Sequence, residues 1–293
     1  MIPRRDEQGM ILLNVLMFVA IASGLVLLMI NREELALDRG IRTSEAARAL
    51  AAARGGELSA VIALRRDGET APDADYPGEL WGQMGQTETP IEGGSFALAV
   101  ADAEGRYNIN NVRSGEAGQV ILFQTIAREI GLADEQITAA VEYVRLMGPV
   151  TDLRPLRMLG VDPKLQEKLE RMVTALPTET TINLNAVDPE LLAILIHDRM
   201  VAERLVAVRK RKGFIDASDL AAESATMPWG TSFNSSSFWI HARAHIGTTT
   251  QELATLVQRR RDPQGGLRTE PVERWRGAAI PPGVPPIDLK PTA

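Results

Sequence analysis

Few side chains in this sequence combine the types and spacings that chemistry requires. There are three histidines and no cysteine. The absence of cysteine excludes disulfides, thiolate metal sites and cysteine nucleophiles together, and fits an oxidising or a reducing compartment equally. His241 and His245 are four positions apart, which on a helix would put two imidazoles on one face as metal ligands. They lie in a run where Phe238, Ile240, Ala242, Ala244 and Ile246 alternate along one side, so the segment reads as a strand. On a strand the two Cα atoms are about 13 Å apart. A shared metal then fails, and Arg243 on the same face repels a cation. Asp102 and Glu104 have the types of an acid/base pair, but they sit in a glycine-ended turn where acidic residues are ordinary. Ser235-Ser236-Ser237 lacks the glycines, the strand–turn–helix context and the acidic partner of a nucleophile elbow. There is no phosphate loop and no dinucleotide fingerprint. The expectation is a chain that is not an enzyme, with no catalytic, cofactor-binding or metal residues.

One segment carries a competing function. Thr181 to Leu192, followed by Ala202 to Arg209 and Gly213-Phe214, resembles a helix-hairpin-helix module. DNA-binding members have a glycine-rich hairpin, which lets backbone N–H groups approach phosphates. Here the hairpin reads Ile196-His197-Asp198-Arg199-Met200, without glycine and with an acidic side chain. Arg204, Arg209, Lys210, Arg211 and Lys212 could supply phosphate contacts, or could be the solvated cations of a helix end. A membrane-tethered helix-hairpin-helix DNA-binding protein is the alternative reading.

The elements around these residues follow from composition and period. With 293 residues, 45% hydrophobic and 24% charged, the chain is long enough for two lobes. Its net charge of -6 disfavours a general nucleic-acid coat. Met10 to Ile30 contains 21 residues without a charge, preceded by Arg4 and Arg5. As a helix it is roughly 30 Å long, enough to cross a bilayer core, and longer than the apolar region of a cleaved secretory signal. The arginines favour a cytoplasmic N-terminus and put the rest of the chain across the membrane. Alanine, leucine and helix-spaced opposite charges continue to Arg66, predicting one rod over 10–66 with its 10–30 portion transmembrane. Gly55-Gly56 is a possible bend, and Asp67-Gly68 followed by Pro72 is the expected end.

Residues 67–112 read as a loop, anchored by Leu80 and Trp81, and then a β-hairpin in which Ser95–Ala101 pairs with Arg106–Asn110. Residues 113–230 turn to helical period. Phe123, Ile126, Ala127 and Ile130 share a face closed by Gly131, Asp134 caps the next helix, and Asp162-Pro163 and Asp188-Pro189 are N-caps before proline. Residues 231–276 return as strands, although 248–261 fits strand or helix alike. The last segment, 277–293, has five prolines and reads as a flexible tail. The fold class is α+β, with a long N-terminal helix packed on a small antiparallel sheet and a large all-α insertion.

The order of these pieces resembles the minor pseudopilin K family of bacterial type II secretion systems. The matching residues are Gly9-Met10-Ile11-Leu12-Leu13, Pro90 to Gly94, Asp102 to Asn111 (DAEGRYNINN), Leu176-Pro177, Ile182 to Ala186 (INLNA) and Gly213-Phe214 to Leu220. The resemblance implies a prepilin leader over 1–9, cut after Gly9 by the prepilin peptidase with methylation at Met10. It implies a pilin-like domain, a single-pass inner-membrane protein with a periplasmic head, and a role at the pseudopilus tip with pseudopilins I and J. Pseudopilin H, the major pseudopilin and the inner-membrane assembly platform are further implied partners. The fifth mature residue, glutamate in most pilin-like subunits, is here Asn14, which agrees with a capping subunit that has no amine ahead of it to neutralise. Relatives commonly carry a calcium-associated acidic stretch in the insertion. Val141 to Asp152 offers only Glu142 and Asp152, whereas calcium takes six to eight oxygens, so no metal site is expected.

Overall fold

The computed structural model describes residues 5–71, 73–84, 88–262, 265–281 and 283–287. Residues 1–4, in the expected leader, and residues 288–293, in the expected tail, lie outside them. Helix α1 (Arg5–Thr70) is a single run of 66 residues, about 100 Å long at 1.5 Å per residue. It extends beyond both expected ends. Asp67 and Gly68 lie inside it because Arg259 holds the Asp67 carboxylate at 3.3 Å, and a Cβ on Gly68 would press on Leu267 and Arg259. Gly55-Gly56 does not interrupt the helix. Gly56 is buried under Phe96, whose ring would lie 2.0 Å from an added Cβ, so the missing side chain gives rod and sheet a close approach.

After the rod come strands β1 (Thr89–Ile91), β2 (Gly94–Asp102) and the short β3 (Tyr107–Asn108). Helices α2 (Ala117–Ile130), α3 (Asp134–Met147) and α4 (Pro163–Met172) follow, then β4 (Val173–Thr174), β5 (Ile182–Asn183), α5 (Pro189–Ile196), α6 (Arg199–Lys212) and α7 (Ala217–Ala222). The chain returns through β6 (Thr231–Ser232), β7 (Ser237–Ile246), β8 (Thr249–Arg261) and β9 (Leu267–Arg276). The main sheet has the order β1-β2-β7-β8-β9 and is antiparallel throughout. Thus 249–261 is strand, the form in which both its faces can be covered.

One face of this sheet takes the rod. Ala49, Ala53, Ala60 and Leu64 of α1 meet Leu98, Phe238, Ile240, Ala242, Leu253 and Val257. The small helix residues bring backbone near the sheet, and the fully buried Phe238 contributes about 1.5–3 kcal/mol by leaving water. Trp81 anchors the loop edge-on to Phe238, with ring centroids 5.2 Å apart, while Leu80 points to solvent and anchors nothing. On the other face Trp239, Ala254 and Leu256 meet Ala103, Leu176 and Val284. Val284 comes from the segment expected to be a flexible tail. That segment is held by Arg106 Nη2 donating to the Gly283 carbonyl at 2.9 Å and by His241 Nδ1, 2.8 Å from the Pro285 carbonyl.

The expected pairing of 95–101 with 106–110 does not occur. β2 pairs with β1 across a turn at Glu92-Gly93 and with β7 over its whole length, while β3 pairs in parallel with β4. The chain leaves the sheet after Asp102 because its polar side chains find partners in the helical lobe. That lobe encloses its own core, including Tyr107, Phe123, Ile126, Ile137, Leu169, Leu191 and Leu205. Asp162 and Asp188 cap α4 and α5 as expected, accepting from Lys164 N and Glu190 N. Asp134 instead takes the first helical position of α3 and pairs with Arg128 at 2.9 Å, and Gln136 accepts from the Ala133 N–H in the capping role.

Candidate functional site

The motifs that stand apart in the sequence meet where rod, sheet and helical lobe join. The Asn183 N–H donates to the Glu104 carbonyl at 2.8 Å, so INLNA runs beside DAEG. Asn183 Nδ2 reaches Asp75 O at 2.9 Å, Asp102 Oδ2 at 2.7 Å and Ser235 Oγ at 3.0 Å. Ser235 Oγ donates to Asp102 Oδ2 and Ser236 Oγ to Glu104 Oε1, each at 2.6 Å. The acidic pair and the serine run, far apart in sequence, are therefore direct partners. Burial pushes the Asp102 carboxyl up to about 6 against the Ser235 and Asn183 bonds, and pushes Glu104 up to about 7. These carboxyls act as acceptors that tie β2 to the serine turn.

A second acidic group adjoins them. Asp67, Asp75 and Glu79 present carboxylate oxygens within 4.8 Å of one another. Arg259 bridges Asp67 and Asp75 and also donates to the Ser235 carbonyl at 2.9 Å. A guanidinium thus occupies the position of the compensating charge. Glu79 accepts from Tyr76 N at 3.0 Å and from Trp81 Nε1 at 2.8 Å, and burial raises its carboxyl to about 7. Burial, then the Asp75 charge, raises Asp67 to about 6. Sequence reasoning singled out neither Arg259 nor Asp75. Within Arg259-Arg260-Arg261 nothing local distinguishes the arginine that turns inward.

A row of asparagines fixes the other side of the junction. Asn108 Oδ1 accepts from Leu176 N at 3.0 Å and Nδ2 donates to Thr178 O at 2.7 Å. Asn110 joins Val150 N, Val150 O and Leu176 O, and Asn111 joins Thr180 N and O. Each side-chain amide replaces a strand partner for backbone that would otherwise be buried unpaired.

The histidines do not converge. His241 bonds Pro285 O, and His245 Nδ1 lies 3.0 Å from Thr250 Oγ1. Asp152 is engaged by Arg154 through its backbone N–H at 2.8 Å and through its guanidinium. In the hairpin His197 ends α5 in the left-handed region at φ 57°, and the Asp198 carboxylate accepts from Met200 N and Val201 N at the start of α6. The N–H groups that would face a phosphate are already occupied. Arg209 points inward to Leu184 O and Val187 O, Arg204 pairs with Glu223, and Lys212 pairs with Asp216 and Asp219. Three of the five candidate cations are thereby committed within the lobe, and the DNA reading gains no support.

At the other end of the molecule, Gly9, Met10 and Asn14 all lie on α1, and Met10 and Asn14 are exposed. The apolar part of the rod reaches a mean hydropathy of 2.6 over eighteen residues with none of that window buried in the fold. It is the one described helix long and apolar enough to cross a membrane.

No protein-family model matches the chain. It is similar to type II secretion system protein K of Pseudomonas aeruginosa, 24% identical over 306 aligned positions that cover 88% of this chain and 91% of the relative. It is also similar to type II secretion system protein K of Pectobacterium carotovorum subsp. carotovorum, 25% identical over 72% of this chain and 78% of that one. Its fold matches a chain in the crystal structure of the GspK-GspI-GspJ complex from enterotoxigenic Escherichia coli, with a TM-score of 0.62 at 17% identity, covering 82% of this chain and 99% of that chain. Likeness to type II secretion system protein K in sequence, along most of the chain, is thus joined to likeness in fold to a chain of the GspK-GspI-GspJ complex.

Proposed function

We propose that this chain is a minor pseudopilin of a bacterial type II secretion system, a structural subunit rather than an enzyme, that starts or caps the pseudopilus tip for export of folded proteins. The observation that carries the reading is the similarity to protein K over 88% of this chain and 91% of the relative. The uncovered rod suits a single-pass inner-membrane anchor with its N-terminus cytoplasmic and its head periplasmic. By the same reading the prepilin peptidase cuts after Gly9 and the new N-terminus at Met10 is methylated.

Pseudopilins I and J are the proposed tip partners, since the matching fold comes from a complex containing proteins so named. Pseudopilin H, the major pseudopilin and the inner-membrane assembly platform belong to the same scheme. Asn14 fits a capping position: an amide needs no opposite charge when it is buried among apolar helices, whereas a carboxylate does. The helical lobe meets the sheet through Leu176 on the face turned away from the rod, where its bulk would obstruct a further subunit. The domain scheme proposed is leader 1–9, rod 10–66, pilin-like segments 67–112 and 231–276, helical insertion 113–230 and C-terminal segment 277–293.

Intact-mass spectrometry of the protein from its native membrane tests this. A mass matching residues 10–293 plus one methyl group is expected. A full-length mass would leave an ordinary membrane anchor and remove the prepilin route.

A further inference from the structure

We propose that the groove between α1 and the edge strand β9 is a docking surface for an acidic amphipathic helix of a neighbouring pseudopilin, an assignment that rests on the pseudopilin reading. The groove has a volume of about 760 Å³, and its walls include Arg54, Leu58, Ile62 and Arg65 of α1 and Leu267 and Pro271 of β9. Steps of three and four residues put the α1 members on one helix face, apolar in the middle and cationic at both ends. Leu58 is 60% exposed and Ile62 is 41% exposed, although both lie beside the buried rod–sheet contact.

The charges are not consumed internally. Arg54 and Arg65 form no ion pair among the described residues. Glu57, also in the groove, is neutralised by Arg274 at 2.8 Å, and its side chain is buried. Arg268 pairs with Asp262. Glu270 remains as a carboxylate on the lining, so the two free arginines leave the groove net basic. An occupant with acidic groups flanking an apolar stripe complements it.

The edge strand argues for a helix over an added strand. β9 contains Pro271, which has no N–H to donate, and the β8–β9 register shifts between Leu256 and Val257. Arg268, Glu270, Glu273 and Arg274 line the same strand, the charged, bulged arrangement that resists strand addition. A symmetric second copy is disfavoured too, because a two-fold contact would set this arginine-flanked face against itself.

The test exploits the absence of cysteine. Full-length Leu58→Cys carrying a thiol-linked benzophenone is irradiated in native membranes that contain pseudopilins I and J, and the adduct is mapped by mass spectrometry. The expected adduct joins position 58 to an acidic helical segment of I or J. Arg54→Glu with Arg65→Glu should lower its yield about tenfold, and lysines replacing the matched carboxylates should restore it. Both arginines are exposed and unpaired, so the melting temperature of the variant, measured alongside, should be unchanged. An adduct with a second copy or with lipid, or a yield indifferent to charge reversal, overturns the assignment. Wild-type processing and co-purification with I and J are read in the same cells. If they hold while the adduct fails, only the groove assignment falls; if they fail, the pseudopilin reading falls and the groove assignment with it.

Discussion

A β-carbon on Gly105 would lie 2.5 Å from the carbonyl oxygen of Ala186. That approach joins the two motifs, DAEG and INLNA, at the point where the chain leaves the sheet for the helical lobe. Backbone cannot give way as the tip of a flexible side chain can. Gly105→Ala should therefore destabilise the head by about 1–3 kcal/mol through forced backbone shifts. A denaturant midpoint for the purified full-length protein that is unchanged by this substitution would show that the two loops are not in contact.

The asparagine row predicts a larger effect. In Asn110→Ala the backbone N–H and carbonyl of Val150 lose their partners in a buried setting, and the carbonyl of Leu176 keeps only the longer bond from Asn108 Nδ2 at 3.4 Å. Each unsatisfied group costs about 1–3 kcal/mol. The loss should exceed that of Thr43→Ala, whose exposed hydroxyl donates to Arg39 O on the same helix, by at least about 2 kcal/mol in the same melts. Asn110→Asp should not rescue, since a carboxylate accepts from Val150 N but cannot donate to the two carbonyls.

Much of the architecture could be read locally, and the junction could not, for a physical reason. The apolar rod, the alternation of β7 and the Asp-Pro caps of α4 and α5 depend on period and on neighbours within four residues. The pairing of Ser95–Ala101 depends instead on β7, more than a hundred positions away, and a local hairpin has the same alternating pattern. What decides between them is the demand of Asp102, Glu104, Asn108, Asn110 and Asn111 for partners in segments that sequence distance conceals. The partners of Asn183 and of Arg259 were illegible for the same reason. Gly56 read as a weak point in the helix because the ring that fills its place, Phe96, lies forty residues on.

The raised buried carboxyls give the head a pH dependence with a definite sign. Asp67, Glu79, Asp102 and Glu104 hold their protons more tightly folded than unfolded, with folded values of about 6 to 7. Their contribution is full below the ordinary carboxylate range and is lost as pH rises from about 4 through about 7. The melting temperature of the wild type should fall between about pH 5 and about pH 7.5. Glu104→Gln keeps an acceptor for Ser236 and removes one titrating group, so its melting temperature should fall less over that interval. An equal slope for the two proteins would place the titration elsewhere.

The N-terminal rod separates two roles that adjacent turns of one helix could share. If Gly9 is the cleavage position, Gly9→Ala should leave the protein at full-length mass and stop secretion, because processing precedes assembly in the proposed route. Asn14 contributes no charge and lies on the exposed, apolar portion of α1. Asn14→Leu should be processed normally and support secretion, since an apolar side chain there costs nothing in lipid or in a helix bundle. If the chain caps the fibre as proposed, Asn14→Asp should impair assembly, because the new carboxylate would lack a cation ahead of it. Intact masses and secreted-protein assays on the three variants read processing and assembly separately. Normal secretion by Asn14→Asp would mean that a neighbouring amine reaches this position, and the chain would then sit within the fibre instead of at its end.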